Sequence, residues 1–401
     1  MTEKTADPFS CPHAPSCAPC PFRGLPYREQ LARKRRRVES AIAARPSLGG
    51  AVVEDVVGSR DLFGYRNVAK LAVRAGKGGS LRAGVYAPGT HRLVDAQGCA
   101  VQHPALNAVV AATLAEASAA GIEPYDERDG SGELRYIVAR YSAWTRRVLL
   151  VLVSAQRDDR RLRELARRLA ARCRPLAGVV FNYNAERGNV ILGRHFSTLR
   201  PSATLLERFG VLKLQVSPGS FLQANPWAAR RIYETAVEWA APEPQDVAVD
   251  LFCGIGPLSL YLATGARLVV GVEESPSAVR DARANQRRNA FHNLRFEQGR
   301  AEDVLPRTRQ TLDGAQIVTL NPTRKGATQE VLTSIAALGP QRIVYVSCDA
   351  DTLARDLERL AALGYRTARL RPFDMLPQTD HVEVVALLER DVSLRPAAPA
   401  P

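Results

Sequence analysis

The strongest constraint on the fold is a regular alternation of short apolar runs and helical patterns that begins at Asp246. The runs at 247–251, 317–320 and 343–346 are rich in β-branched and apolar residues, and this composition predicts buried strands. Strands that alternate with helices predict a mostly parallel sheet and therefore an α/β fold. Sheets of this kind bind ligands at the carboxyl ends of their strands. The loops that follow these runs are therefore the candidate functional segments.

The first of these loops has the sequence Asp250-Leu-Phe-Cys-Gly-Ile-Gly-Pro-Leu-Ser259. Gly254 and the second glycine allow a tight turn and a close approach of the backbone to a ligand. The next predicted strand, 267–272, is followed by Glu273, whose carboxylate can hold both hydroxyls of a ribose. A dinucleotide fingerprint requires a third glycine where this chain has Ser259. The loop therefore favours S-adenosylmethionine, with a dinucleotide as the alternative.

A single cysteine, Cys348, follows the predicted strand at 343–346 and precedes a helical pattern. Asp349 or Asp351 is placed to cap the start of that helix. A thiol beside a helix N-terminus tends toward the thiolate, because the helix dipole favours the anion. The pattern is therefore compatible with a nucleophilic cysteine, and equally with a cysteine that packs as a small apolar residue.

Two further polar features lie in the same α/β region. Asn321 opens a loop, 321–326, that follows the predicted strand at 317–320 on the same side of the sheet. Glu383 interrupts the otherwise apolar run at 382–388. A position on the solvated face would explain this carboxylate. Burial near a site would instead raise its pKa and suit it to proton transfer.

Three cysteines stand close together near the N-terminus, as Cys11, Cys17 and Cys20. The prolines between them exclude a helix, so the segment can fold as a loop around one metal centre. A fourth thiolate is then needed, and Cys99, in a turn-like segment, is the best candidate. Four thiolates fit zinc or an iron–sulfur cluster, and the spacing alone does not distinguish the two. A set of unrelated free cysteines is the remaining interpretation.

The region at 46–204 mixes short strands with helices and predicts a separate α+β domain. Its strand candidates lie at 68–73, 134–141, 148–153 and 178–183. The 401-residue chain carries a net charge of +14, contributed mainly by arginine, which suits a polyanionic partner. A genome that uses arginine for every cation would give the same charge, so the charge alone supports nucleic-acid binding weakly.

The sequence contains no run that is long and apolar enough for a transmembrane helix. The polar residues 1–10 lack the apolar core of a signal peptide. We therefore expect a cytoplasmic protein that does not associate with membranes. Cysteines in that compartment serve as metal ligands or reactive thiols more often than as disulfides.

Together these features resemble the bacterial RNA uracil-5-methyltransferases, and the resemblance covers the chain from Cys11 to Arg390. It rests on the N-terminal cysteines and on several short motifs. These motifs are Phe221-Leu-Gln-Ala-Asn-Pro226, Asp250-Leu-Phe-Cys-Gly254, Asn321-Pro-Thr-Arg324, Ser347-Cys348, and the stretch from Phe373-Asp-Met375 to His381-Val-Glu383.

The resemblance implies an α/β fold with a class I, Rossmann-like S-adenosylmethionine methyltransferase domain at 205–392. It implies a central α+β RNA-binding domain at 46–204. It further implies a cysteine-rich iron–sulfur segment with a basic helix at 1–45, and we expect a disordered tail at 393–401. The additional N-terminal oligonucleotide-binding (TRAM) module that some relatives carry is expected to be absent.

The resemblance also implies roles for individual residues. Cys348 is expected to be the nucleophile and Glu383 the base. Contacts to S-adenosylmethionine are expected from Gln223, Phe252, Glu273, Asn321, Gly254 and Asp250. The ligands of a [4Fe-4S] cluster are expected to be Cys11, Cys17, Cys20 and Cys99.

The expected reaction is methylation of carbon 5 of a uridine in 23S rRNA by a monomeric enzyme. A tRNA uridine methyltransferase of the same family is one alternative, although such enzymes normally lack the cluster cysteines. A non-catalytic RNA-binding assembly factor is another. Retention of both Cys348 and Glu383 argues against that second alternative.

Overall fold

The computed structural model describes residues 11, 13, 17–157, 160–312 and 314–391. The polar residues 1–10 and the tail expected to be disordered, 393–401, lie outside the described residues. Two large sheets, one in the centre of the sequence and one in its C-terminal part, are joined by a two-stranded hairpin and a helix. Among the described residues, no helix combines the length and the apolar character that crossing a bilayer requires.

The N-terminal segment packs on the C-terminal sheet. Its elements are helix α1 (Tyr27–Ala43), a 3₁₀ turn (Pro46–Leu48) and strand β1 (Val52–Val53). Val38 and Ile42 of α1 belong to the apolar core beneath the C-terminal sheet. Strand β1 lies parallel to a strand near the C-terminus, with Val52 opposite Arg369. The structure thus contains the basic helix expected within 1–45, and the burial of Val38 and Ile42 explains its position on the sheet.

The central region forms a seven-stranded sheet with helices packed against it. Its elements are β2 (Val68–Ala75), a 3₁₀ turn (Lys77–Gly79), β3 (Leu81–Tyr86), β4 (Leu93–Asp95), α2 (Pro104–Ala119), β5 (Leu134–Tyr141), β6 (Val148–Ser154), α3 (Arg160–Arg172), β7 (Leu176–Tyr183) and β8 (His195–Pro201). The strand order is β4-β3-β2-β5-β6-β7-β8. Only the β6–β7 pair is parallel among the pairs described here, because α3 connects these two strands. The four strands predicted from the sequence are confirmed as β2, β5, β6 and β7.

A hairpin and a helix connect the central sheet to the C-terminal one. They are β9 (Leu205–Phe209), β10 (Leu212–Val216) and α4 (Pro226–Ala240). The side chain of Asn225 accepts a hydrogen bond of 3.2 Å from the backbone N–H of Ala228 and so caps α4. Pro226 follows at the first helical position, where its missing N–H costs nothing. The loop that precedes this cap carries Gln223.

The C-terminal region alternates strands and helices. Its elements are β11 (Val247–Leu251), α5 (Pro257–Leu262), β12 (Leu268–Glu273), α6 (Pro276–Arg288), β13 (Leu294–Gln298), α7 (Ala301–Thr311), β14 (Ile317–Leu320), α8 (Gln329–Leu338), β15 (Arg342–Ser347), α9 (Ala350–Ala362), β16 (Tyr365–Phe373) and β17 (Glu383–Arg390). With β1 they form a sheet of order β1-β16-β17-β15-β14-β11-β12-β13.

Strands β11 to β15 run parallel, which confirms the predicted α/β fold. Their carboxyl ends therefore meet at one edge of the sheet. Strand β17 is antiparallel to both of its neighbours, β15 and β16. Because of this reversal, the start of β17 lies beside the end of β15. The first residue of β17 therefore lies at the edge of the sheet where the parallel strands end and where ligands bind.

Helices cover both faces of the sheet, and this explains why its strands are apolar runs without polar alternation. Val249 packs on one face and Ala248 on the other. Helix α9 buries an apolar face that includes Leu353 and Leu357. Its start is capped by Asp349, whose Oδ1 accepts a hydrogen bond of 3.0 Å from the Thr352 N–H.

Candidate active site

Cys348 and Glu383 face each other across two neighbouring strands. Ser347 at the end of β15 pairs with Val384 of the antiparallel strand β17. Cys348 follows Ser347 directly after β15, and Glu383 precedes Val384 as the first residue of β17, so the antiparallel register places these two side by side. Cys348 is partly exposed, whereas Glu383 is 8% exposed. The structure therefore brings together the two residues that the sequence suggested for catalysis.

The carboxyl of Glu383 is buried without full hydrogen bonding. Within the described part of the chain, its Oε2 atom has no hydrogen-bond partner. Burial raises the pKa of Glu383 to about 7, and the guanidinium of Arg324 opposes this rise. A carboxyl with this pKa exchanges a proton readily near neutral pH. Burial, rather than a position on the solvated face, is thus the correct alternative of the two that the sequence left open.

The Cys348 thiol differs from the expectation based on the helix dipole. Its pKa is raised, first by burial and then by the charge of Glu383, while Arg324 acts in the opposite direction. The predicted tendency toward the thiolate is therefore wrong for the protein without its ligands. The physical reason is that loss of hydration and a neighbouring carboxylate together outweigh the attraction of the α9 N-terminus.

Two residues without a role assigned from the sequence adjoin this pair. Nη2 of Arg324 lies 3.0 Å from Nδ1 and 3.1 Å from Nε2 of His381. Burial and then Arg324 lower the pKa of His381, which favours the neutral imidazole. Arg324 ends the Asn321-Pro-Thr-Arg324 motif, and His381 stands two residues before Glu383. Their motifs pointed to this region, but their mutual contact required the tertiary structure.

The loop after β11 forms an open backbone cradle. Phe252 has a φ of 57° and Gly254 a φ of 58°, both in the left-handed region. A Cβ at Gly254 would meet no atom within 4 Å, so the space in front of it is free. Glu273 fixes the cradle, because its Oε2 accepts a hydrogen bond of 3.0 Å from the Gly254 N–H. Its other oxygen accepts one of 2.8 Å from the Ser275 N–H.

The remaining residues predicted to contact the cofactor divide into two groups. Asn321 follows β14 at the same edge of the sheet, and Gln223 lies in the loop before α4, where it is 8% exposed. Asp250 is 1% exposed and lies within the sheet. Its two oxygens accept hydrogen bonds from Ser259 at 2.5 Å and from Thr319 at 2.7 Å.

Asp250 therefore supports the loop from within the fold. Burial raises its pKa to about 6, while the hydroxyls of Ser259 and Thr319 oppose that rise. This arrangement also explains why the chain has Ser259 at the position of the third fingerprint glycine, since its hydroxyl holds Asp250. Phe252, Gly254, Glu273 and Asn321 remain at the open edge, and this set fits a nucleoside cofactor without a pyrophosphate.

The four predicted cluster cysteines line one pocket between the N-terminal segment and the central region. Burial and then the nearby Cys99 thiol raise the pKa of Cys17. The same two causes raise the pKa of Cys20 to about 12. Across the described ranges, no group of three or more His, Cys, Asp or Glu side chains is arranged to hold a metal ion. The structure thus gathers Cys11, Cys17, Cys20 and Cys99 around one space without forming a ready metal site.

Known proteins show the same fold and related sequences. Residues 208–391 match the family described as tRNA (uracil-5-)-methyltransferase. An uncharacterized RNA methyltransferase of Geobacter sulfurreducens is 41% identical over 382 residues, which are 94% of this chain and 76% of the relative. One of Halalkalibacterium halodurans is 35% identical over 379 residues, which are 94% of this chain and 82% of the relative.

A solved structure shares the architecture. The tRNA (uracil-54, C5)-methyltransferase of Pyrococcus abyssi, in complex with S-adenosyl-L-homocysteine, has a TM-score of 0.76 and 25% sequence identity. The match covers 94% of this chain and 86% of that structure. The fold and these relatives define an S-adenosylmethionine-dependent RNA methyltransferase. The chain belongs to the RNA uracil-5-methyltransferase family, which confirms the resemblance found in the sequence.

Proposed function

We propose that the protein methylates carbon 5 of a uridine in 23S rRNA, with S-adenosylmethionine as the methyl donor. The observation that carries this proposal is the position of Cys348 opposite Glu383 at the edge of the sheet where the cofactor loop also ends. A thiol next to a buried carboxyl with a pKa of about 7 supplies the nucleophile and the base that this reaction requires.

Cys348 acts first in the proposed mechanism. Carbon 5 of uracil is a poor nucleophile, and addition of the Cys348 thiolate to carbon 6 turns the ring into an enolate that is nucleophilic at carbon 5. The thiol must lose its proton before it attacks. Arg324 favours the thiolate, and the partial exposure of Cys348 lets the proton leave to solvent.

Glu383 acts after carbon 5 has been methylated. Its carboxylate removes the carbon 5 proton. The electron pair of that C–H bond forms the double bond between carbon 5 and carbon 6, and the carbon 6 to sulfur bond breaks to release Cys348 as the thiolate. Burial favours this role because a carboxylate with a raised pKa is a stronger base than an exposed one. The uridine must leave its RNA context to reach this edge of the sheet, as in other enzymes that modify a base.

The cofactor supplies an electrophilic methyl group when it is bound. Glu273 and Asn321 would hold it beside the Gly254 cradle, and Phe252 and Gln223 would flank it. The free space in front of Gly254 supports this assignment. The left-handed φ values of Phe252 and Gly254 also support it, because they shape the loop into an open backbone cradle.

We further propose that the four cysteines hold a [4Fe-4S] cluster. The support is that Cys11, Cys17, Cys20 and Cys99 line one pocket. Burial and then the nearby Cys99 thiol raise the pKa of Cys17 and of Cys20, so these two thiols lie close to a neighbouring thiol in a partly buried space. Ligation by iron would stabilise the thiolates and so supply folding free energy. The cluster takes no part in the methyl transfer proposed above.

A tRNA substrate is the second candidate, because the related Pyrococcus abyssi enzyme is a tRNA methyltransferase. We place rRNA first because the resemblance found in the sequence implies cluster cysteines in the rRNA-modifying branch, and Cys11, Cys17, Cys20 and Cys99 line one pocket here. Purified protein should be incubated with labelled S-adenosylmethionine and either unmodified 23S rRNA or unmodified tRNA. Methyl transfer to 23S rRNA at carbon 5 of one uridine is the expected result. Transfer to tRNA alone would contradict the substrate assignment, and transfer to neither would contradict the activity.

A further inference from the structure

The loop between β16 and β17, residues 374–382, contacts both the cysteine pocket and the active site. Gln378, in the middle of this loop, is one of the residues that line the cysteine pocket. His381, near the end of the loop, contacts Arg324 beside Cys348. The loop ends at Glu383, the first residue of β17. One short segment therefore joins the two sites.

A reciprocal pair of buried amides fixes the centre of this loop to helix α1. Nε2 of Gln30 donates a hydrogen bond of 3.1 Å to Oε1 of Gln378. The backbone N–H of Gln378 donates one of 3.0 Å to Oε1 of Gln30. The two residues are 2% and 4% exposed. Water therefore cannot replace these bonds unless the loop moves.

The segment between the cysteines and α1 holds the same residue from a third side. The backbone N–H of Phe22 donates a hydrogen bond of 3.0 Å to the carbonyl of Gln378. Phe22 stands two residues after Cys20. Gln378 has a φ of 70°, a left-handed conformation that is strained for a residue with a side chain. The contacts from Gln30 and Phe22 hold the loop in this conformation.

Further contacts from the N-terminal half fix the ends of the loop. Lys34 of α1 forms a buried ion pair with Asp374, and the hydroxyl of Tyr27 donates a hydrogen bond of 2.8 Å to the same carboxylate. The hydroxyl of Tyr65 donates one of 2.9 Å to the carbonyl of Pro377. Most of the contacts described for this loop come from residues before the C-terminal domain in the sequence, while Asn225 and Arg324 contact Met375 and His381 from within that domain.

We propose that Gln30 and Gln378 are positioning residues for Glu383, and that the cysteine segment fixes the active-site loop through them. This inference rests on the role proposed above for Glu383 as the base. Loss of the amide pair would let the loop move and would admit water to the start of β17. Glu383 would then lose both its orientation toward the bound base and part of its burial.

The groups that face Glu383 make the effect measurable. Arg324, Cys348 and Tyr233 are the charged or titratable groups whose interactions involve this carboxyl. None of them is changed by a substitution at Gln30. When kcat is measured against pH, the acidic limb of the profile reflects the pKa of Glu383. A shift of that limb in the Gln30 variant would therefore report a change in the hydration of Glu383. The limb should move to lower pH, because a more hydrated carboxyl has a lower pKa.

The test uses Gln30→Ala in the full-length protein, with Ser40→Ala as the control on an exposed position of the same helix. Gln378→Gly is a second variant, since it removes the side chain and relieves the left-handed strain. For Gln30→Ala and Gln378→Gly we expect kcat to fall by about tenfold to a hundredfold, with the KM for S-adenosylmethionine nearly unchanged. Hydrogen exchange of residues 374–384 should rise, while exchange in β11 and β12 and the iron content stay as in the wild type.

Hydrogen exchange also tests the connection to the cysteines without an assay of activity. Anaerobic removal of iron from the wild-type protein should increase exchange in residues 374–384 more than in β11. An equal increase throughout the chain, or no increase in this loop in either experiment, would overturn the inference. A wild-type protein that fails to methylate RNA would contradict the proposed function alone, because the exchange result does not depend on turnover.

Discussion

Cys348 and Glu383 stand 35 residues apart in the sequence (383 − 348) and side by side in the fold, because β17 runs antiparallel to β15 with Val384 opposite Ser347. The parallel strands supply the edge at which the cofactor loop ends. The single reversed strand supplies a carboxylate at that edge. The proposed nucleophile thus follows a parallel strand, and the proposed base begins the antiparallel strand beside it.

The first prediction concerns the cost of burying Glu383. Its pKa is raised to about 7 in the folded protein, above the ordinary value for glutamate of about 4.3. The folded state therefore binds this proton more tightly than the unfolded state, and stability falls as pH rises between these two values. Replacement by glutamine removes the penalty. We expect Glu383→Gln to raise the free energy of unfolding by about 2 to 3 kcal/mol above pH 7.

Denaturant unfolding of wild type and Glu383→Gln at two pH values measures this difference. The gain should be largest at about pH 8 and should shrink toward about pH 5, where the wild-type carboxyl is protonated in the fold. Glu389→Gln, at a partly exposed position of the same strand, is the control and should show little change, because the ion pair of Glu389 with Arg366 lies at the surface. A gain that does not depend on pH would contradict the assigned cause.

The second prediction concerns the Gly254 cradle. An alanine there must adopt a φ of 58°, which costs about 1 kcal/mol, and its methyl group would project into free space. Gly78→Ala is a matched control, because Gly78 has a φ of 62° and also has no atom within 4 Å of an added Cβ. Both variants should lose similar stability.

Only Gly254→Ala should lose affinity for S-adenosylhomocysteine when binding is measured by calorimetry. The reason is that its methyl group takes up space that the cofactor needs, whereas Gly78 lies in the central region far along the chain from the cofactor loop. Equal affinities for both variants would show that the cofactor does not approach the backbone at Gly254.

The third prediction concerns the cysteine pocket. Cys17→Ser and Cys99→Ser should each abolish the proposed cluster, because each removes one of four thiolates that line the same pocket. Cys173→Ser is the control, since Cys173 belongs to the apolar core of the central region. Iron and acid-labile sulfide should be measured in anaerobically purified protein. In both the wild type and the control, the amount of iron should nearly equal the amount of sulfide. Stoichiometric zinc without sulfide would contradict the proposal.

Much of this fold follows from local sequence. The strands β5, β11 and β14 were predicted with their observed bounds, because apolar runs between turn residues determine them. The site was harder to predict. Local pattern identified Cys348 and Glu383 separately, but their contact depends on the direction of β17. The contact between Arg324 and His381 and the Gln30–Gln378 pair likewise depend on tertiary packing.

Two residues of the site, Cys348 and Asp250, illustrate what local sequence rules miss. The helix dipole predicted a thiolate at Cys348, but burial and the charge of Glu383 depend on the assembled sheet and have the opposite effect. The cofactor contact of Asp250 stays a prediction, whereas the buried hydrogen bonds that Asp250 accepts from Ser259 and Thr319 were not predicted. The second of these hydroxyls comes from β14, which no motif around the cofactor loop could indicate.

The most direct measurement of the central claim is whether Glu383→Gln traps RNA on Cys348. Glutamine cannot accept the carbon 5 proton, so elimination should stall after the methyl group has been transferred. Incubation of Glu383→Gln with S-adenosylmethionine and unmodified 23S rRNA should give a protein–RNA adduct that survives a denaturing gel. The double variant with Cys348→Ala should give none. Normal turnover by Glu383→Gln without any adduct would contradict the assignment of Glu383 as the base.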